Sequence, residues 1–272
     1  MAVIITAVAV VTVIGIICAV MLSVASKVMA VKVDERIPLV RECLPGANCG
    51  GCGFPGCDGY AAALVNDEDT ALTLCAPGGA GTAAKISAAL GREAGEMVQK
   101  FAYVNCLGDC DATGDKMQYV GIDTCVAAKS LFGGRGKCTF GCLGLGDCTR
   151  ACPSDAIHVG AKGVARVDTR VCTGCGACAK VCPNQIISIL PADIKVRISC
   201  SSHDKGPTVK AKCSAGCIGC SLCSKKCPEG AIAMDNNLPV IDYEKCTGCG
   251  TCAGVCPAKC ILPRPEAKSE SA

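Results

Sequence analysis

Apolar and polar positions divide this chain unevenly. Ala2 to Ser26 carries no charge, and the run from Val3 to Val24 is dominated by Val, Ile, Ala and Leu. About 20 apolar residues suffice to cross a bilayer as a helix, so the pattern predicts a membrane anchor over residues 1–27. A cleaved signal peptide is the rival reading. Such peptides open on basic residues and have a shorter apolar region, whereas no Lys or Arg precedes this run. Cys18 lies inside the apolar stretch, not at a lipidation site. A retained anchor is the expectation. Lys27, Lys32 and Arg36 follow it directly, and basic residues flanking a span favour the cytoplasmic side. The anchor holds no ionisable group that would serve an ion path.

Beyond the anchor the apolar runs become short. Asp58 to Thr73 reads as a helix, and Gly78 to Lys85 as a turn plus helix start that fails the phosphate-loop pattern. Gly163–Asp168 and Leu238–Asp242 read as short strands leading into loops. The Cys-Pro-x3-Ile segments read as helical turns. The expected fold is an N-terminal single transmembrane helix followed by small α+β domains.

Composition sharpens this picture. There are 28 cysteines and 32 glycines in 272 residues, no Trp, and only 3% aromatic residues. Such a chain cannot build its core on large side chains. The cysteines stand in tight C-x2-C runs, which suit metal better than long-range disulfides. Thiolates that hold iron must stay reduced, which indicates a reducing compartment. Metal–thiolate bonds can replace a conventional core, since their binding energy becomes folding energy. The net charge is +3, and no basic patch interleaved with aromatics suggests nucleic acid.

The second half of the chain repeats. Cys172-x2-Cys175-x2-Cys178-x3-Cys182-Pro183, Cys217-x2-Cys220-x2-Cys223-x3-Cys227-Pro228 and Cys246-x2-Cys249-x2-Cys252-x3-Cys256-Pro257 fit the bacterial ferredoxin run. A fourth copy is altered: Cys138-x3-Cys142-x5-Cys148-x3-Cys152-Pro153. Leu145 stands where a middle cysteine would fall, and Cys138 is the natural substitute. The runs recur about 30 residues apart within pairs and the pairs about 75 residues apart, which reads as tandem two-cluster units. In such units three cysteines wrap one corner of a [4Fe–4S] cubane, and the fourth, before Pro, serves the other cluster. Cys172, Cys175 and Cys178 are therefore expected to share a cluster with Cys152, and Cys138, Cys142 and Cys148 with Cys182. In the second unit Cys217, Cys220 and Cys223 should take Cys256, while Cys246, Cys249 and Cys252 take Cys227. Zinc favours two C-x2-C pairs per metal, not three-plus-one runs.

Upstream, Cys49-Gly-Gly-Cys52-Gly-Phe-Pro-Gly-Cys57 forms a further cluster loop, with Cys75 the next cysteine to complete it. That makes five clusters. Cys18, Cys43, Cys106, Cys110, Cys125, Cys200, Cys213 and Cys260 remain. Cys18, Cys43 and Cys260 read as non-ligands. Cys106, Cys110 and Cys125 are a candidate sixth site, with Cys200 or Cys213 as its fourth ligand. Cys213 stands to Cys217 as Cys138 does to Cys142, so the two regions look related. His158 and His203 are isolated from this spacing and read as surface residues, and Asp67, Glu68 and Asp69 as a solvated loop.

The expected division is an anchor (1–27), an N-proximal 4Fe-4S domain (28–95), a cysteine-containing connecting segment (96–135), a first two-cluster ferredoxin-like domain (136–193), a linker (194–212), a second such domain (213–263) and a disordered polar tail (264–272).

The apolar N-terminus, the segment Leu44-Pro-Gly-Ala-Asn-Cys-Gly-Gly-Cys-Gly-Phe-Pro-Gly-Cys57 and the tandem runs together resemble the B subunits of Rnf electron-transport complexes. The resemblance covers nearly the whole chain. It implies a subunit of a membrane complex that passes electrons between reduced ferredoxin and NAD, coupled to Na+ or H+ translocation. It further implies flavin-bearing and NAD-binding partner subunits, and soluble ferredoxin as the electron donor to this chain. The simplest family members have one ferredoxin unit where this chain has two. No catalytic triad, Rossmann fingerprint or flavin motif is evident, so this chain alone holds no complete active site. The competing function is a membrane-anchored polyferredoxin adaptor that serves another reductase without ion pumping. The N-proximal loop also resembles one in corrinoid iron–sulfur proteins, but the anchor and the absence of a corrinoid-binding domain oppose a methyl-transfer role.

Overall fold

A computed structural model describes residues 2–28, 34–95 and 97–263. Lys32 and the tail expected over 264–272 lie outside the described residues. The chain opens on α1 (Ala2–Val28), in which Ile4–Ser26 is long and apolar enough to cross a membrane. Its described side chains are exposed, including Ile4, Ile5, Val8, Ile14, Met21 and Leu22. A helix that is apolar all round, and that none of the described residues of its own chain covers, needs lipid or another protein chain around it.

The N-proximal domain is built from α2 (Arg36–Cys43), α3 (Cys57–Asn66) and α4 (Gly79–Leu90). Val40, Tyr60, Leu64 and Ile86 form the centre of its core, and the cluster thiols Cys57 and Cys75 belong to the same core. The helix expected over Asp58–Thr73 ends at Asn66, and a turn carries the chain on. Asp67 stops it by taking the Thr70 hydroxyl and the Asp69 N–H on its carboxylate, a local alternative to helical bonding. Arg92 then ties the end of α3 to the following turn by donating to the Leu64 and Thr70 carbonyls.

Two units of similar design follow. The first holds β1 (Lys100–Val104), α5 (Cys125–Ser130), α6 (Asp147–Arg150), β2 (Ile157–Val159), β3 (Ala165–Val167), α7 (Ala177–Val181) and β4 (Ile187–Pro191). The second holds β5 (Val196–Ile198), α8 (Gly206–Lys212), α9 (Leu222–Lys225), β6 (Ile232–Asp235), β7 (Leu238–Ile241), α10 (Thr251–Gly254) and β8 (Ile261–Pro263). Each unit has an inner hairpin, β2–β3 or β6–β7, and an outer antiparallel pair, β1–β4 or β5–β8.

The outer pairs redraw the expected boundaries. The connecting segment 96–135 supplies β1 to the first unit, and the linker 194–212 supplies β5 to the second. A terminal strand needs a partner to satisfy its backbone groups, and in both units that partner comes from upstream sequence. The strands expected at 163–168 and 238–242 are present as β3 and β7. The Cys-Pro segments are turns, and the short helices precede them at the third cysteine of each run.

The units are locked together. Arg197 on β5 lies over the Tyr103 ring, with its guanidinium carbon 5.3 Å from the centroid, and donates to the Val104 carbonyl. The Thr113 hydroxyl donates to the Lys212 carbonyl at 2.7 Å, the Ser201 hydroxyl to the Asn105 carbonyl, and the Ser214 N–H to the Ala112 carbonyl.

Candidate iron–sulfur sites

In the N-proximal domain Cys49, Cys52, Cys57 and Cys75 line one small cavity. Burial pushes the Cys75 thiol up, the Gly78 N–H opposes this, and Cys57, Cys52 and Cys49 reinforce it. The Asn48 side-chain oxygen accepts the Cys57 N–H at 2.8 Å and so fixes the loop. Cysteine spacing gives no reason to single out Asn48.

In the first unit Cys172, Cys175, Cys178 and Cys152 come together. Burial, and then Cys172, Cys175 and Cys152, push the Cys178 thiol up to about 12. Cys172 Sγ accepts the N–H groups of Ala102 and Gly174, each at 3.4 Å, and Cys152 Sγ accepts that of Ala156 at 3.2 Å. Gly174 has φ +69°, and a Cβ there would collide with the Lys100 carbonyl of β1. The upstream strand thus closes over this loop.

The second cavity of that unit is lined by Cys125, Cys142, Cys148 and Cys182. Burial, and then Cys142, Cys125 and Cys182, push the Cys148 thiol up to about 11. Cys125 therefore stands where the altered run lacks its middle cysteine. It opens α5, whose first turn is capped by the Thr124 hydroxyl accepting the Ala127 N–H, and Asp147 accepts the Val126 N–H. Cys138, the residue expected there from spacing, lines a different cavity. Spacing could not reveal this, because Cys125 reaches the site from outside the run.

In the second unit Cys217, Cys220, Cys223 and Cys256 line one cavity, together with Cys260. Cys260 is buried, with its sulfur 3.6 Å from Cys256 Sγ. Its hydrogen bond with Cys217 draws the Cys217 thiol down and drives the Cys260 thiol up. Burial, and then Cys246 and Cys249, push the Cys252 thiol up, and Cys227 packs against the same core as Cys246 and Cys252.

A cavity of about 440 Å³ lies at the junction of the units and is lined by Cys106, Cys110, Cys138, Cys142, Cys200 and Cys213. The structure thus divides the candidate sixth group: Cys106, Cys110, Cys200 and Cys213 face this junction, and Cys125 faces the first unit. Among the described residues no group of His, Cys, Asp or Glu is arranged to hold a single metal ion.

The sequence matches a Fe-S cluster family over residues 44–77 and two 4Fe-4S dicluster domain families over 139–189 and 216–260. It is 46% identical over 237 residues to the B subunit of the proton-translocating ferredoxin:NAD(+) oxidoreductase complex of Clostridium ljungdahlii, covering 87% of this chain and 84% of that one. It is 42% identical to the Na(+)-translocating counterpart of Acetobacterium woodii, over 91% of this chain and 74% of the relative. It is 43% identical to the B subunit of the ion-translocating oxidoreductase complex of Methanosarcina acetivorans, over 90% and 92%. The chain belongs to the family of Rnf B subunits.

Within this member of the family, the two histidines stay outside the cysteine sets. His158 and His203 are exposed, and their ring nitrogens meet the backbone carbonyls of Asp155 and Asn236. Cys43 is half-buried, with Sγ on the Leu39 carbonyl, and Cys18 lies exposed on α1.

Proposed function

We propose that this chain is the electron-transferring iron–sulfur subunit of a membrane complex. The complex couples electron transfer between reduced ferredoxin and NAD to Na+ or H+ translocation, and this chain is the entry point for ferredoxin electrons. Flavin-bearing and NAD-binding subunits are its partners. The anchor holds it to the membrane, with the iron–sulfur part in the cytoplasm. Five [4Fe–4S] sites are assigned: Cys49/Cys52/Cys57/Cys75, Cys152/Cys172/Cys175/Cys178, Cys125/Cys142/Cys148/Cys182, Cys217/Cys220/Cys223/Cys256 and Cys227/Cys246/Cys249/Cys252. A cubane bound at such a site takes up and releases one electron at a time.

The donor sets fit that group. They are thiols alone, buried or half-buried except for Cys220 and Cys249, with backbone N–H groups aimed at sulfur. Such hydrogen bonds and burial tune cluster potential. The residues hold the sulfurs, exclude water and set the order of the sites.

The observation that carries the reading is the contact between the N-proximal loop and the first unit. A Cβ on Gly51 would stand 2.5 Å from the Cys175 carbonyl oxygen, and Lys180 Nζ donates to the Gly50 carbonyl at 2.7 Å. Two cysteine sets thereby meet loop against loop, between the ferredoxin-like units and the anchored end. In the second unit Cys220 and Cys249 are exposed, which suits a soluble donor.

The choice of ion lies outside this chain. Relatives of similar identity carry proton-translocating and Na(+)-translocating names, and Ala2–Ser26 has no ionisable charge.

The test is anaerobic mixing of the membrane complex with reduced ferredoxin while following NAD reduction and ion uptake into inverted vesicles. Cys49→Ser is expected to abolish both. NAD reduction that proceeds without ion uptake in the unaltered complex would support the adaptor reading instead. Gly51→Val gives a second expectation: iron content stays unchanged, while ferredoxin-driven NAD reduction falls at least several-fold because the two loops are wedged apart. An unchanged rate would remove that contact from the electron path.

A further inference from the structure

We propose that Cys260 is a reserve ligand of the Cys217/Cys220/Cys223/Cys256 site, held beside Cys256 and able to take its place on iron, with the ligand set assigned above as the basis. Cys260 stands four residues after the pre-proline cysteine of the last run. In the other three runs the equivalent residues are Ala156, Ile186 and Ala231. All four positions are buried, with 1–2% of the residue exposed. The fold therefore needs only an apolar side chain there, and Ala serves in two of the four. The last run alone places a thiol.

One turn, repeated in every run, brings that position beside the pre-proline cysteine. The residue three ahead donates its N–H to the cysteine's carbonyl: Asp155 to Cys152, Gln185 to Cys182, Gly230 to Cys227 and Lys259 to Cys256. Each of these four donors has positive φ, between +48° and +59°, which doubles the chain back. In the first unit the next residue, Ala156, then reaches Cys152 Sγ with its own N–H at 3.2 Å. In the last run the next residue is Cys260. The Ser199 N–H fixes its backbone by donating to its carbonyl at 2.7 Å. Its Sγ lies 3.6 Å from Cys256 Sγ, it hydrogen-bonds Cys217, and it lines one cavity with all four ligands of the set.

Four thiolates complete a cubane site, so Cys260 is a non-ligand while Cys256 holds its iron. Exchange between the two is balanced. The iron–sulfur bond to Cys256 breaks, one to Cys260 forms, and the Cys260 proton passes to the freed Cys256 sulfur. No electron moves, and no further reactant is needed. The two sulfurs are already in contact, so the exchange asks for side-chain movement and not for refolding. This set also includes the exposed Cys220, so solvent reaches it. A spare thiol on its buried side lets the site keep its cluster when the bond to Cys256 is lost. A buried Cys that served only as a small apolar filler would give no such protection.

Full-length variants isolated anaerobically are assayed for iron and acid-labile sulfide per chain against the unaltered protein. Cys256→Ala and Cys260→Ala should each keep the full count, while Cys256→Ala/Cys260→Ala should lose about four irons, one cubane. Cys227→Ala, whose run has Ala231 in the reserve position, should lose about four irons by itself, as should Cys223→Ala. A loss of about four irons in Cys256→Ala, alongside the same loss in Cys223→Ala, would overturn the reserve role and leave the ligand set standing. A full count in Cys223→Ala would overturn the ligand set and the proposal with it, and a full count in the double variant would overturn the proposal. If Cys256→Ala does not accumulate, iron release to a chelator from Cys260→Ala decides. Release of about four irons should be at least several-fold faster than from the unaltered protein, and an equal rate would overturn the proposal.

Discussion

Stripping iron from the full chain with a chelator under mild oxidation is expected to unfold nearly everything beyond the anchor. The apolar cores are small, and the thiols are part of them. The core of the second unit is built from Val196, Ile232, Ile241 and Ile261 together with Cys217, Cys223, Cys252 and Cys260. No Phe or Trp lies at its centre, and its sheets have two short strands each. An isolated two-stranded sheet is marginal in water. A structural metal site contributes on the order of 10 kcal/mol or more in small metal-folded domains, comparable to the whole stability of an ordinary domain, about 5–15 kcal/mol. Burial also holds thiols such as Cys148 and Cys178 protonated without metal, so the iron-free sites offer no compensating charge pairing. Far-UV circular dichroism and limited proteolysis check this. An iron-free chain that keeps its signal and resists protease would mean that the apolar cores suffice.

The second large effect is expected at Cys125. Cys125→Ser should remove the cluster shared with Cys142, Cys148 and Cys182, a loss of about four irons, and loosen α5 from the first unit. Cys125 and Ala128 form a small buried core with Leu143, so the thiol anchors the helix as well as facing the cavity. Cys138→Ser should leave that cluster in place and act at the junction instead. Iron counts on the two variants, with electron paramagnetic resonance to distinguish which signal is lost, check the pair. Retention of the Cys142 cluster in Cys125→Ser, with its loss in Cys138→Ser, would restore the assignment suggested by spacing alone.

Much of this protein is set by local pattern. The uncharged run Ala2–Ser26 makes one long apolar helix, because length and composition alone decide that. The C-x2-C-x2-C runs place three thiols within one tight loop, and the structure brings together Cys172, Cys175 and Cys178 as their spacing implies. The pre-proline cysteines Cys152, Cys182 and Cys256 reach across to the partner loop for the same reason: a short turn and hairpin carry them there. Three features were settled only by the tertiary fold. β1 and β5 lie in segments that read as connectors, yet they complete the units, because antiparallel pairing is satisfied by whichever strand arrives at the open edge. Cys125, rather than Cys138, faces the first-unit cavity, because α5 folds back from outside the repeat. The thiols Cys106, Cys138, Cys200 and Cys213 line one cavity because the two units dock through contacts such as those of Arg197, Thr113 and Ser214. Spacing specifies a site when all its ligands share one loop. When the ligands come from four segments, only packing between distant parts of the chain can bring them together.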